Sequence, residues 1–297
     1  MKNVSASVRQ RLLNLAKDKN QPFDLVLNRY AIERLLYRIS QTRYKDQFLL
    51  KGGNLFVLWY ANPHRPTRDV DLLAYGPSDI KTLESAFRTI SEVVCDDGLE
   101  FEASSVQGSE IRKEANYNGV RIKLLSTLSG ARIPLQIDVA FGDAVFPAAQ
   151  NNTFPVLLDM PAPNIRTYPI YSVIAEKFHA IVTLQMENSR LKDFFDLWTI
   201  FKASDLEGDK LVRAISETFN RRRTPIKHEM PVAFTDVFKK SDAKQKNWSA
   251  FLNKNRLALQ EMSKVIDFLS SALWPVYSSA ARGESFGKRW VPDSGWV

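Results

Sequence analysis

The sequence predicts an α+β protein, with an α/β domain over residues 1–168 and a helical domain over 169–297. Three observations lead there. Helix-spaced apolar residues run to about Ser40, and period-two strand patterns fill the middle of the chain. From Ile170 to about Trp274 only the helical period remains. A proline-rich passage (Pro155, Pro161, Pro163, Pro169) closes the strand region.

Taken in order, Val4 to Lys17 and Phe23 to Ser40 read as helices, the second burying Leu25, Leu27, Ile32, Leu35, Leu36 and Ile39. Phe48-Leu49-Leu50 is a short buried strand that ends at Gly52-Gly53, and a helix from Asn54 to Tyr60 follows. Pro63 and Pro66 hold the next loop extended. Val70 to Leu73 is a strand, and Ser78 is placed to cap a helix from Asp79 to Val93. Leu99 to Val106, Tyr117 to Thr127 and Ile133 to Phe141 alternate as strands, with Ser129-Gly130 turning between the last two. The helical part breaks near Glu187–Ser189, Ser204–Asp205 and Thr224–Pro225, and the glycine-bearing tail from Ala280 reads as irregular.

The 297 residues are 44% apolar and 25% charged, the make-up of an ordinary globular protein. No apolar run approaches the ~20 residues that span a bilayer. The opening residues run on into charged sequence rather than an apolar core, so the expected location is cytoplasmic, with no membrane partner. The single cysteine, Cys95, excludes an intrachain disulfide. With three scattered histidines it also excludes a closed zinc site. The net charge of +8 suits a polyanionic partner as well as it suits solubility. Arg29, Arg34, Arg38, Arg43 and Lys45, and later Arg221, Arg222, Arg223 and Lys227, are candidate phosphate contacts.

The chemistry concentrates in Lys51-Gly52-Gly53 and in Arg65-Pro66-Thr67-Arg68-Asp69-Val70-Asp71-Leu72. Along an extended chain Asp69 and Asp71 leave the same face, while Val70 and Leu72 point into a core. Carboxylates held side by side repel unless a cation joins them. Mg²⁺ binds through one or two carboxylates plus substrate phosphates. The glycines let backbone N–H groups approach a triphosphate. This reads as a metal-dependent site for nucleotidyl transfer. Asp138 stands opposite the apolar face of Leu135, Ile137, Val139 and Phe141, so it needs either a metal or a salt bridge to Arg121 or Lys123. Asp143, after Gly142, reads as turn chemistry.

Lys177 falls inside the apolar arc of Ile170, Val173, Ala180, Ile181 and Leu184. It either snorkels outward or faces a buried anion such as a phosphate. Asp193 and Asp196 flank one side of the next helix, where the dipole favours a carboxylate; for Asp193 a contact with Lys177 or the nucleotide competes with that role. His64 reads as a solvated loop histidine. Phe286, Trp290 and Trp296, beside basic residues, either stack on bases or dock on the core.

The ordered set of a glycine pair, Arg65-x-Thr67-x-Asp69-x-Asp71, Asp138 in a later strand, Lys177, and Arg190-x-Lys192-Asp193-Phe194-Phe195-Asp196-Leu197 resembles the AbiEii/AbiGii toxin family. These are nucleotidyltransferase-like toxins of type IV toxin–antitoxin and phage-abortive systems, and they include the MenT-type toxins. The resemblance spans about Phe48 to Ile200. It implies a polymerase-β-like nucleotidyltransferase mixed sheet with flanking helices. It also implies Mg²⁺ as cofactor, a nucleoside triphosphate as substrate, tRNA as acceptor, translation blocked at the tRNA 3′ end, and a cognate antitoxin as partner. On this chain Gly52, Gly53, Arg65, Thr67 and Lys177 would bind the nucleotide. Asp69, Asp71 and Asp138 would hold the metal, and the catalytic set would be those three acids with Lys177 and Asp193. Two other activities fit the same resemblance: a non-catalytic GTP- or RNA-binding toxin, or nucleotidylation of a protein or small molecule.

Overall fold

The computed structural model describes residues 3–60, 65–113 and 117–297. Pro63 and His64 therefore lie outside the described residues. The chain forms two compact units, one of 1–143 with 149–168 and the other of 144–148 with 169–297.

In the first unit, α1 (Val4–Asp18) is capped by the Asn3 side chain, and α2 (Phe23–Ser40) buries nearly its whole length. β1 (Phe48–Lys51) runs into a 3-10 turn, Gly52–Asn54, then α3 (Leu55–Trp59). β2 (Val70–Ala74) leads to α4 (Ile80–Ser91). The cap of α4 is Asp79 rather than Ser78, its carboxylate accepting from the Thr82 N–H at 2.9 Å. Three long strands follow: β3 (Glu100–Lys113), β4 (Tyr117–Leu128) and β5 (Ala131–Phe141).

Two more strands lie where prolines had suggested the sheet ends: β6 (Gln150–Thr153) and β7 (Asn164–Thr167). Four-residue strands between prolines give too short a pattern to read. They are held in place from α2 as well as by pairing. Glu33 accepts the Leu157 N–H at 2.7 Å, and Arg34 donates to the Pro161 carbonyl at 2.9 Å. Together the strands make a mixed sheet in the order β3-β4-β5-β2-β1-β7-β6. Its parallel pairs, β2 with β5 and β1 with β7, form its centre. Leu49, Leu50, Val70, Leu72, Ile137 and Val139 are all buried in the core of the unit.

The second unit comprises α5 (Ile170–Leu184), α6 (Leu191–Ala203), β8 (Leu206–Glu207), α7 (Gly208–Arg221), α8 (Asp236–Lys239), α9 (Asp242–Lys254), α10 (Met262–Arg282), β9 (Arg289–Val291) and β10 (Gly295–Trp296). It is mainly helical, but the tail expected to be irregular closes a three-stranded sheet in the order β10-β9-β8. Its tryptophans dock on the core. The Trp290 indole donates to the Phe201 carbonyl at 2.7 Å, and the Trp296 indole to the Ala272 carbonyl at 2.9 Å. Gly208 is required there, since a Cβ would collide with the Phe286 carbonyl.

Candidate functional site

Within the first unit the glycine turn, the acid-bearing loop and the Asp138 strand converge. β1 and β2 pair antiparallel with Lys51 opposite Asp71, and β2 pairs parallel with β5, placing Asp71 beside Asp138. Val70 and Leu72 are buried on the other face, so the two carboxylates share the open one. Asp69 lies one residue ahead of β2 and is exposed; Asp71 is half-buried.

The glycines are there for space. Gly52 sits at φ +71°, a left-handed conformation, and a Cβ on it would land on the Asp71 carboxylate. A Cβ on Gly53 would lie 2.5 Å from the Thr67 hydroxyl oxygen. The backbone of the turn thus lies directly against the carboxylate and hydroxyl that the sequence singled out. Asn54 completes the join, its side-chain amide donating to the Asp69 carbonyl at 2.8 Å. The sequence reading had given Asn54 no such role. The Arg65 guanidinium comes within 3.5 Å of the Thr67 hydroxyl.

Asp138 has an internal cation. Arg121, directly across the β4–β5 ladder, grips it through two bonds of 2.8 Å, Nε to Oδ1 and Nη2 to Oδ2. The salt bridge expected for Asp138 is formed. The Asp138 hydrogen bonds raise the pKa of Arg121 above its ordinary value, and the charges of Asp138, Asp69 and Asp71 act in the same direction. Arg121 is therefore the guanidinium of the acid cluster, a residue the sequence reading had used only as an alternative partner. Among the described residues no group of three His, Cys, Asp or Glu side chains is gathered to hold a metal ion. Asp69 and Asp71 above the glycine cradle do fit Mg²⁺, an ion that takes one or two carboxylates and fills its sphere from phosphates and water.

Asp143 is an ion-pair residue rather than a turn residue. Its buried carboxylate holds Lys51, whose ammonium also lies 4.9 Å from the centre of the Tyr168 ring.

In the second unit Lys177 does face buried anions, and they are carboxylates of the chain itself. Its ammonium donates to Asp193 at 2.8 Å and to Asp196 at 2.6 Å, both acids being wholly buried. Arg190 adds a bond to Asp193 at 2.6 Å. Burial pushes the Asp193 carboxyl upward, but Lys177 and Arg190 outweigh it and hold it below the usual range. The dipole explanation for Asp196 is thus incomplete: its neighbour across the helix pair is Lys177. His179 also lies in this unit, with Thr224 at 2.9 Å and Arg222 at 3.2 Å; burial, then the Arg222 charge, pushes its pKa down to about 4.

The candidate phosphate contacts divide. Arg38 is buried and bonded twice to Asp97, and Arg34 is buried beside Glu33. Neither is available to a ligand. Arg43 and Lys45 are exposed. Of the late group Arg222 turns inward to Glu176, while Arg221, Arg223 and Lys227 are exposed.

The family model described as "Nucleotidyl transferase AbiEii toxin, Type IV TA system" matches residues 34–271. Two Helicobacter pylori crystal structures are similar to this chain. One is JHP933, with 12% identity, covering 84% of this chain and 86% of that one at a TM-score of 0.45. The other is a candidate nucleotidyltransferase, also with 12% identity, covering 85% of this chain and 94% of that one at 0.48. No curated protein matches the chain.

Proposed function

Since this chain belongs to the AbiEii family of nucleotidyltransferase toxins of type IV toxin–antitoxin systems, we propose that it transfers a nucleoside monophosphate to the 3′ end of tRNA and so blocks translation. The observation that carries this reading is the glycine turn lying against Asp71 and Thr67, with Asp138 beside Asp71 in the sheet.

The Gly52–Gly53 backbone and the Thr67 hydroxyl offer donors to a triphosphate, with Arg65 adding a cation beside them. A Mg²⁺ ion held by Asp69 and Asp71 would supply charge neutralisation on the phosphates. Arg121 fixes Asp138 and tempers the negative charge of the cluster. The acceptor hydroxyl would attack the α-phosphate in line, forming one P–O bond as the bond to pyrophosphate breaks and losing its proton to a nearby carboxylate. In the second unit Asp193 and Asp196 hold the Lys177 ammonium in one place, and a preset ammonium suits a phosphate oxygen as a point charge. Lys177 and Asp193 therefore stay in the functional set.

A type IV toxin implies a cognate antitoxin as partner. Among the described residues no helix is long and apolar enough to cross a membrane, and the proposed place of action is the cytoplasm. The test is incubation of the purified protein with total tRNA and each α-labelled nucleoside triphosphate. Label in the RNA is the expected result. Label confined to protein or small molecules, or no label alongside measurable GTP or RNA binding, would replace this reading with one of the alternatives.

A further inference from the structure

β1 and β2 have two ends. Lys51 and Asp71 pair at one, Phe48 and Ala74 at the other, about 10 Å away along the strand. At the far end a cavity of about 530 Å³ opens, lined among others by Arg43, Tyr44, Phe48, Tyr75, Lys81 and Ala86. That volume is in the range of sites that hold a nucleotide-sized ligand.

Its lining combines cations with aromatic rings. Arg43 lies over the Tyr44 ring at 5.1 Å and donates to the Tyr44 hydroxyl at 3.1 Å. Tyr75 is 45% exposed, a high value for a tyrosine on the loop after a buried strand. Arg166 stands 5.6 Å from the Tyr75 ring centre and is anchored to the Asp46 carbonyl at 2.7 Å. Among the described residues no carboxylate forms an ion pair with Arg43, Lys45, Lys81 or Arg166, although Asp46 lies in the same turn as the first two. The basic residues of α2 next to this turn are consumed internally, so Arg43 and Lys45 are the part of that stretch left facing solvent. An exposed ring between cations suits a base and its flanking phosphates; a purely apolar ligand would leave those cations unanswered, and an anion without a ring would leave Tyr75 unused.

We propose that this cavity is a nucleic-acid contact separate from the transfer site, holding a single-stranded RNA segment. A base stacks on Tyr75, and phosphates meet Arg43 and Lys81. Only the choice of RNA over DNA rests on the function proposed above.

The test is fluorescence anisotropy of labelled oligouridine with the full chain, without nucleoside triphosphate, across a salt series. Tyr75→Leu is expected to weaken binding about 5-fold or more, the loss of one stacked base. Arg43→Gln with Lys81→Gln should weaken it about 10-fold and flatten the salt slope by about 1.4, two phosphates of a single strand. All three positions are exposed, and an unchanged thermal midpoint shows that the variants fold. Parental binding by the folded variants, or no oligouridine binding by the parent, overturns the site. Equal binding of oligothymidine overturns the choice of RNA. Variants that bind normally while the parent labels tRNA would remove this site and leave the transfer reading intact. Binding lost in the variants, with no label transferred by the parent, would do the reverse.

Discussion

Asp71 and Asp196 are the same residue in two surroundings. Asp71 lies half-buried on the open face of a sheet, with a glycine turn where a side chain would otherwise cover it. Asp196 is sealed, with its neighbour Asp193, around the ammonium of Lys177. A carboxylate that solvent can reach can exchange its counter-ion for a ligand at modest cost. One removed from water depends on a fixed internal cation, because an uncompensated buried charge costs several kcal/mol. The first arrangement leaves its carboxylate open to a ligand, and the second makes its lysine a fixed point.

The comparison breaks most visibly at Asp71. Asp71→Asn keeps the volume and removes the charge, and label transfer to tRNA should fall about 10³-fold or more. The thermal midpoint should stay near the parent's, which circular dichroism can check.

At Lys177 stability is expected to fall as well. Lys177→Met should cost about 3–5 kcal/mol in a denaturant titration, since it removes the ammonium that both buried carboxylates hold. The sequence left Lys177 either snorkelling or facing a buried anion, and its ion pairs with Asp193 and Asp196 set the size of this loss. Adding Asp196→Asn to Lys177→Met should restore part of the loss if the pair is coupled as described. A Lys177→Met protein as stable as the parent would contradict the pairing.

Gly52→Ala sharpens the account of the open site. Left-handed backbone costs an alanine about 1–2 kcal/mol, and its Cβ would push the Asp71 carboxylate aside. Transfer should drop more than stability does. Equal transfer at reduced stability would make the glycine purely conformational.

Much of this was legible beforehand because it depends on local rules. Period two placed Asp69 and Asp71 opposite Val70 and Leu72, and the glycine pair marked a close approach. What stayed hidden is what depends on pairing between distant segments. No spacing shows that Asp138 sits beside Asp71, that Asp196 meets Lys177, or that Asn54 ties down the Asp69 loop. β6, β7 and the strands of the tail escaped for a related reason, since segments of two to four residues carry too little pattern. Trp290 and Trp296 were the signal in the tail, and the hydrogen bonds of their indoles to Phe201 and Ala272 show that they dock.

The smallest expected effects are two slopes of stability against pH. Glu33 is buried, and burial lifts its carboxyl to about 7 despite the Arg34 charge. Between its ordinary 4.5 and about 7 the folded state holds the extra proton, so its contribution to stability is lost as pH rises. For His179, lowered from 6.5 to about 4, the unfolded state holds the extra proton in that window. Its contribution is lost as pH falls. Each slope is at most about 1.4 kcal/mol per pH unit. Denaturant midpoints across pH 4–8 should lose the first slope in Glu33→Gln and the second in His179→Gln.

The claim that Asp69 and Asp71 offer a cation site to a triphosphate is tested most directly by the thermal midpoint of the parent protein. It should be measured with a non-hydrolysable nucleoside triphosphate in Mg²⁺ and again in EDTA. A ligand at about 100 times its Kd adds about 2.7 kcal/mol to a folded protein. The account predicts that shift with nucleotide and Mg²⁺ together, and little with either alone. An equal shift in EDTA, or none with any of the four nucleotides, would contradict it.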